Sequence, residues 1–488
     1  MSYPSLLFSD RPSGQRISPQ VFEDVKLTAF FSEESVDAMR VLSLPADIPI
    51  RQELLRFLSG NDSARSTLSE LSGIAAEIQR LWGALQEVKC ENERHYVYVG
   101  LLAAVGDFAH LAASLPDAGG ALLRRFGAYF RSLSCDEAWS ALSREAAELR
   151  ERAREAQHET FRMSGDNLWM RPDYRETYTD RLLRCAGELE LPPINPKREL
   201  NLRLDPRMVN ALARLHPDSF LAFRDFYSRN GNSFDESILS YRFELEYYLE
   251  ALRLMARITA AGLPLTWPQL TKERCIDIRG LYDISLLLKD GVTIVPNDAL
   301  FTEQEPFFFL TGANGGGKTT FLRALGNAVL LTLAGCPVCA ESAVVFPVSN
   351  VFTHFPQDER FETEGRYADE QRRVGEILAA HGGSSLILLN ETYSTTNEEL
   401  AVSSTLALTE KLKDSGSFTL YITHQHGLEE AKVPFLSVIV DQDDENRRTY
   451  RIARKKEAES SFAADILRLY GLDGESLLRR FPGKEADR

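Results

Sequence analysis

The chain has 488 residues, room for two or three domains of ordinary size. Its 44% hydrophobic and 26% charged residues are those of a globular protein, and a formal net charge of −15 excludes a generally basic nucleic-acid binder, though not a local basic face. Six cysteines in so long a chain form no secreted disulfide framework, the N-terminus shows no signal-peptide pattern, and no run of 18 apolar residues is visible, so the expectation is a reduced, cytoplasmic protein with no membrane partner.

Residues 1–50 form a mixed N-terminal segment interrupted by Pro4, Pro12, Pro19, Pro45 and Pro49. From Arg51 to about Leu115, apolar residues recur at threes and fours (Leu55, Leu58, then Leu68, Leu71, Ala75 and Ile78), which predicts helix. A second helical region runs from about Ala121 to Ala156, and its later part interleaves Arg and Glu, with Glu148 and Arg152 at i,i+4 spacing on a solvated face. Residues 160–210 read as irregular and rich in Pro, Asn and Asp. Helical periodicity returns from Phe220 to Ala260 and breaks at Leu263–Pro268, so 51–268 reads as one mainly helical region with an apex near 160–210.

After Thr271 the pattern changes. Short apolar runs predict strands at Val292–Val295, Phe307–Leu310, Val344–Val348, Leu386–Leu389, Thr419–Ile422 and Leu436–Val440, with a returning strand at Arg448–Ala453. Helical stretches separate several of them, which implies an α/β nucleotide-binding domain over 269–455. The tail, 456–488, reads as a helical element of two short helices split at Gly471 and Gly474.

Within that domain, Gly312, Ala313, Asn314, Gly315, Gly316, Gly317, Lys318, Thr319 and Thr320 spell a G-x-x-x-x-G-K-[ST] phosphate-binding loop between an apolar strand and a helix covering Phe321–Leu333. The glycines let backbone N–H groups turn inward around phosphate oxygens, and the helix start adds its positive end. Lys318 would reach the β- and γ-phosphates of ATP or ADP, and the Thr319 hydroxyl would meet Mg²⁺. The strand Ser385–Leu389 ends in Asn390-Glu391, the Walker B arrangement, with Glu391 as candidate general base and Asn390 and Glu391 as candidate metal-side residues. A further strand ends in Thr423-His424, where the histidine would sense the γ-phosphate. Asn390 stands where many such enzymes place Asp; it keeps an acceptor and loses the charge, with Asp358 and Glu359 as candidate compensators. Cys336-Pro337-Val338-Cys339 lacks a second pair of ligands at metal spacing, so packing is the favoured reading.

The order and wording of these motifs resemble the MutS family of DNA mismatch-repair ATPases, of the ABC class. Val295-Pro296-Asn297-Asp298 resembles the family's segment before the loop, and Thr311–Thr320 its TGPNMGGKST. Ala334–Ala343 resembles IGxxVPAESA, Val351–Asp358 resembles IFTRIGASD, Gly365-Arg366 the start of the signature segment, and Thr423–His426 the family's THYH. The resemblance implies an ABC-type P-loop ATPase domain preceded by a helical core and lever region, with Val295 and Pro296 beside the adenine. It implies a homodimer with composite nucleotide sites, duplex or branched DNA as partner, and a place for a repair-protein partner. Residues 160–210 would lie where the DNA clamp does, with Arg171, Arg175, Arg181, Lys197 and Arg198 as candidate phosphate contacts, although acidic residues are as frequent there.

Three departures stand out. About 50 residues before the helical region cannot hold mismatch-reading and connector domains, so Phe31-Ser32-Glu33 is not expected to be the family's Phe-x-Glu reader. The Ser-Thr of the signature is replaced by Tyr367-Ala368, which leaves Arg366 as a candidate for the contact in trans. No nuclease domain is expected after the tail. The resulting expectation is an ATPase, slow if Asn390 is uncompensated, whose nucleotide state gates DNA binding without direct mismatch reading; the alternative is a nucleotide-gated scaffold or sensor acting on a protein.

Overall fold

The structure is a computed structural model that describes residues 3–9, 16–41, 45–155, 159–164, 167–172, 184–185, 187–188, 206–289, 291–356, 366–380, 382, 384–393, 397–440 and 448–455. Its contacts divide the chain into a helical unit, residues 1–6 and 57–246, and an α/β unit, residues 7–56 and 247–488. These divisions differ from boundaries drawn at 50 and 268. Helical periodicity reports secondary structure, not which core a helix joins.

The chain opens with α1 (Pro19–Asp24), α2 (Glu33–Arg40) and α3 (Asp47–Ser59). The helical unit contains α4 (Asp62–Gln86), α5 (Glu91–Ala113), α6 (Gly120–Ser134), α7 (Glu137–Glu155), α8 (Pro206–Leu215) and α9 (Pro217–Asn230). The helix α10 (Tyr241–Ala260) follows. Asn61 caps α4 by accepting from the Ala64 N–H at 2.9 Å, which sets where that helix begins. The helix α5 is long and apolar enough to cross a membrane by length and composition. It is instead the central helix of this unit, packed by α4, α6, α7, α8 and α9. Phe108, Phe126, Phe130 and Tyr241 form an aromatic cluster with the Phe126 and Phe130 centroids 4.9 Å apart, and Tyr3 stacks on Phe130 at 5.7 Å. The first residues are strapped down there: the Tyr241 hydroxyl donates to Pro4 O at 2.7 Å, and the Leu6 N–H donates to the buried Glu244 carboxyl at 2.5 Å.

The apex region read as irregular contains an antiparallel hairpin, β1 (Glu159–Ser164) and β2 (Asn167–Pro172), in register from Glu159 opposite Pro172 to Ser164 opposite Asn167. Thr160–Ser164 does alternate polar and apolar residues, but two six-residue strands are too short to stand out from the Pro-, Asn- and Asp-rich stretch that follows. Of the candidate phosphate contacts, Arg171 lies on β2, described by its backbone alone, and Arg175, Arg181, Lys197 and Arg198 lie outside the described residues.

The α/β unit carries β3 (Gln269–Leu270), β4 (Ile276–Leu281), β5 (Asn297–Phe301), β6 (Phe307–Thr311), α11 (Lys318–Ala334), β7 (Ser342–Val345), β8 (Asn350–His354) and α12 (Arg366–Ala380). It continues with β9 (Ser385–Asn390), α13 (Glu398–Ser415), β10 (Phe418–Ile422), β11 (Phe435–Val440) and β12 (Arg448–Lys455). One sheet has the order β12-β11-β6-β10-β9-β8, parallel except for the antiparallel edge strand β12; the other has the order β3-β7-β4-β5. The inner strands β6, β9 and β10 are continuous apolar runs because both faces of this parallel sheet are covered. Phe309, Ile387, Leu389 and Tyr421 pack on one face against Val374 of α12 and Leu408 and Leu412 of α13. Leu388 meets α11 on the other: a Cβ at Gly326 would stand 2.8 Å from Leu388 Cδ1 and 2.7 Å from Val25 Cγ1, so only glycine admits both neighbours.

That contact shows why residues 7–56 belong with the α/β unit. Arg51 adds to it, donating from Nε to Ala334 O at 2.8 Å and from Nη2 to Leu333 O at 2.6 Å, the unsatisfied carbonyls at the end of α11. The predicted strand at Val292–Val295 is corrected: strand pairing begins at Asn297, opposite Leu281, and Val292 is exposed. Apolar residues alone do not make a strand without an edge to pair with. Phe31 is buried and Ser32 caps α2, so Phe31-Ser32-Glu33 is a helix start.

Candidate nucleotide site

Parallel strands deliver their C-terminal ends to one rim of a sheet, where loops can converge on a ligand. Here β6 runs into the glycine loop, β10 into Thr423-His424 and β9 into Asn390-Glu391, with β6 and β9 flanking β10 on either side.

Gly312 takes φ 126°, Gly315 φ 73° and Gly317 φ 94°, all in the region that favours glycine. At Gly312 space is also limiting, since a Cβ would lie 2.9 Å from Val438 Cβ and 3.0 Å from Val438 N. Gly317 is the N-cap of α11, so the helix starts at the loop's end. The Lys318 ammonium is buried and donates to Gly312 O at 2.7 Å, Ala313 O at 3.2 Å and Asn314 Oδ1 at 3.3 Å. It therefore braces the loop from inside. Thr319 and Thr320 follow, half-buried, in the first turn of α11.

On β9 and β10, Asn390 pairs in register with Ile422, and the Glu391 N–H donates to Ile422 O at 2.9 Å. The Glu391 carboxylate Oε1 lies 3.1 Å from His424 Nε2. The hydrogen bond from His424 holds the Glu391 carboxyl below its ordinary value, against partial burial, and the charges of His424 and Lys318 act in the same direction. Lys318 is thus close enough to act electrostatically on Glu391, joining the loop to the strand ends. Glu391 itself sits at φ 54° and Tyr393 at φ 63°, left-handed conformations unusual for such side chains. Asn390 is buried, and its Oδ1 has no hydrogen-bond partner among the described residues.

Two residues that sequence reasoning missed complete the mouth. The Asn297 amide donates to Tyr450 O at 3.0 Å and to Val295 O at 3.3 Å, and its Oδ1 accepts from the Ile452 N–H at 2.7 Å. It clasps a β-bulge, where the pairing of β11 with β12 shifts between Val438 and Val440 and Tyr450 adopts φ 55°. The bulge turns the half-exposed Tyr450 toward the loop: a methyl on Gly317 would stand 3.5 Å from Tyr450 Cδ1. The hairpin was legible in the sequence; a bulge leaves no composition signal. Val295 is half-buried and Pro296 exposed at the same mouth.

Several sequence candidates are not placed. Asp358, Glu359 and Gly365 lie outside the described residues, as does the tail after Lys455, and Arg366, Tyr367 and Ala368 open α12 as backbone only. Cys336 and Cys339 are buried; Cys336 Sγ lies 3.2 Å from the Tyr247 hydroxyl, and burial pushes the two thiols up to about 11 and about 12. Such thiols are inert packing groups.

Residues 308–478 match the family described as MutS domain V. Over this segment the chain is MutS-like. It is 28% identical over 193 residues to the "DNA mismatch repair protein MutS" of Chlorobium limicola, covering 38% of this chain and 22% of that protein. It is 28% identical over 221 residues to the protein of the same name from Bacillus mycoides (44% of this chain, 25% of the relative) and 27% identical over 222 residues to that of Halothermothrix orenii (43% and 25%). The chain therefore spans about a quarter of the length of the curated relatives it matches. The MutS-like segment contains the glycine loop, Asn390-Glu391 and Thr423-His424, and begins after Val295 and Pro296.

Proposed function

We propose that this MutS-like chain binds and hydrolyses ATP, and that its nucleotide state gates a hold on duplex or branched DNA in repair or recombination, without direct mismatch reading. The observation that supports it most is the convergence of the loop, His424 and Glu391 on one rim of the parallel sheet, with the Lys318 charge felt at Glu391. In this reading the loop N–H groups and Lys318 hold the β- and γ-phosphates. Glu391, kept ionised, takes a proton from the attacking water as its oxygen bonds to the γ-phosphorus; the bond from that phosphorus to the bridging oxygen breaks and ADP leaves. His424 orients Glu391 and meets the released phosphate. Tyr450, Val295 and Pro296 frame the base. Thr319, Asn390 and Glu391 are oxygen donors suited to Mg²⁺, and the buried, unpartnered Asn390 Oδ1 fits such a role; when bound, the ion would neutralise phosphate charge. Homodimerisation through the signature segment and tail, a repair-protein partner and a cytoplasmic location belong to the same proposal.

A second reading, a nucleotide-gated scaffold or sensor for a protein partner, is favoured by the net charge of −15 and by Asn390 in place of a carboxylate. Binding of the purified chain to perfect duplex, mismatched duplex, single-stranded DNA and a four-way junction, with ADP and then ATP at one stated salt concentration, separates the two. Nucleotide-dependent affinity for any of them supports the DNA reading. Its absence at near-physiological salt, in folded protein that binds ATP, sinks it.

A further inference from the structure

The turn that carries Glu391 is held in a way the hydrolysis scheme does not require by itself. Glu391 and Tyr393 both adopt left-handed backbone, a strained conformation for non-glycine residues that persists only where the surroundings hold it. Between them Thr392 is fully buried and bonded on both sides. Its carbonyl accepts from the Tyr421 hydroxyl at 2.7 Å and from Gln425 Nε2 at 3.4 Å. Its hydroxyl lies 3.0 Å from Nδ1 of the buried His354.

His354 is the last residue of β8 and is fixed by strand pairing opposite Leu389 of β9. Its neighbours are anchored as well. The Thr353 hydroxyl donates to the Asp24 carboxylate at 2.5 Å, and the Phe355 ring lies under the guanidinium of Arg323, a side chain of α11, at 5.8 Å. The strand end that grips Thr392 is thereby tied to the helix that begins at the glycine loop.

We propose that Thr392, through its bond to His354, is the positioning residue for Glu391: it sets where the carboxylate stands relative to the loop. The proposal rests on the ATPase reading above and deepens it. Thr392 and His354 are both buried beneath the turn, so the pair acts through Glu391. Val in place of Thr392 keeps the volume and removes the hydroxyl, releasing the turn from β8 without emptying the core.

The test is a double-mutant cycle on the full chain with T392V, H354F and the pair, beside T392S, which keeps the hydroxyl. Two quantities are read: steady-state ATP hydrolysis with ATP affinity measured separately, and the imidazole resonances in protein labelled at its eight histidines, that of His424 identified by its loss in H424A. T392V is expected to lower kcat about 10-fold or more with ATP Kd within about 2-fold, T392S to stay near the parent, and the double variant to be no worse than either single one. The His424 resonance is expected to move in T392V toward its position in E391Q. Lost turnover with an unmoved His424 resonance, unchanged turnover in T392V, or additive effects in the double variant would overturn the proposal. If T392V does not fold, H354F carries the same readouts. If the parent protein hydrolyses no ATP, the ATPase reading fails by itself, and an unmoved or moved His424 resonance still decides whether Thr392 positions Glu391.

Discussion

His424 Nε2 stands 3.1 Å from Glu391 Oε1, a link between side chains 33 positions apart. It exists because β9 and β10 are parallel neighbours in register at Asn390 and Ile422, so the residues just beyond them, Glu391 on one side and Thr423-His424 on the other, emerge together. A carboxylate held low by an imidazole and by the Lys318 charge is ionised, and so in its proton-accepting form, at neutral pH.

E391Q keeps the shape and removes the base, so kcat for ATP falls by about 10²–10⁴ while ATP still binds. Because the Glu391 carboxyl is held low, its ionised form persists below the ordinary glutamate value of 4.5, and the acid limb of the pH–rate profile lies below that value. Its contribution to folding has the matching sign: present above the unfolded value and lost as pH falls through the lower folded value. H424A removes the largest cause of the shift, so the acid limb moves up. A pH–rate profile of parent and H424A checks this.

Lys318 supports the loop and, in the proposed function, the phosphates. K318A removes three donated bonds to Gly312 O, Ala313 O and Asn314 Oδ1. Affinity for both ADP and ATP is expected to fall by roughly 10- to 100-fold, measured by titration with a fluorescent nucleotide. Equal loss for both nucleotides points to the β-phosphate, and a larger loss for ATP to the γ-phosphate.

The loop glycines are not equivalent. G312A meets both a φ of 126° and Val438 at 2.9 Å, whereas G315A meets φ 73° with nothing within 4 Å. Thermal unfolding is expected to show G312A losing about 2–4 kcal/mol and G315A about 1 kcal/mol.

In the helical unit, burial raises the Glu244 carboxyl to about 7, against bonds from Leu6, Ser5 and Ser240 and the charge of Arg125. A group raised on folding stabilises fully below its unfolded value, and that contribution is lost as pH rises through the folded one, here between about 4.5 and about 7. E244Q keeps an acceptor for the Leu6 N–H and carries no charge. It is expected to be more stable than the parent at pH 8, by up to about 3 kcal/mol, with the gap closing toward pH 5. Melting curves across that range measure it.

The contrast between Glu391 and Tyr450 shows how far the sequence reached. Glu391 was legible because a buried apolar strand followed by polar residues is a local pattern, and the glycine loop because its spacing is dictated by phosphate geometry. Tyr450 and Asn297 were not, since their role depends on a bulge and on a side-chain clasp between strands far apart in the chain. The N-terminal segment reads only as mixed for the same reason: its place on α11 rests on Val25, just after α1, meeting Gly326, a contact no periodicity encodes.

By itself the sequence determined the chemistry-bearing stretches: the loop from Gly312 to Thr320, Asn390-Glu391, Thr423-His424 and the alternation of strand and helix around them. Each of these is written in adjacent residues, where spacing alone carries the physical constraint. Tertiary structure alone decided which of them meet. The order β6-β10-β9 brings Lys318, His424 and Glu391 to one rim, and the left-handed turn at Glu391 stands on Thr392 and His354. Such choices are made by which strands pair and which side chains fill the space between them, and those are properties of the packed chain.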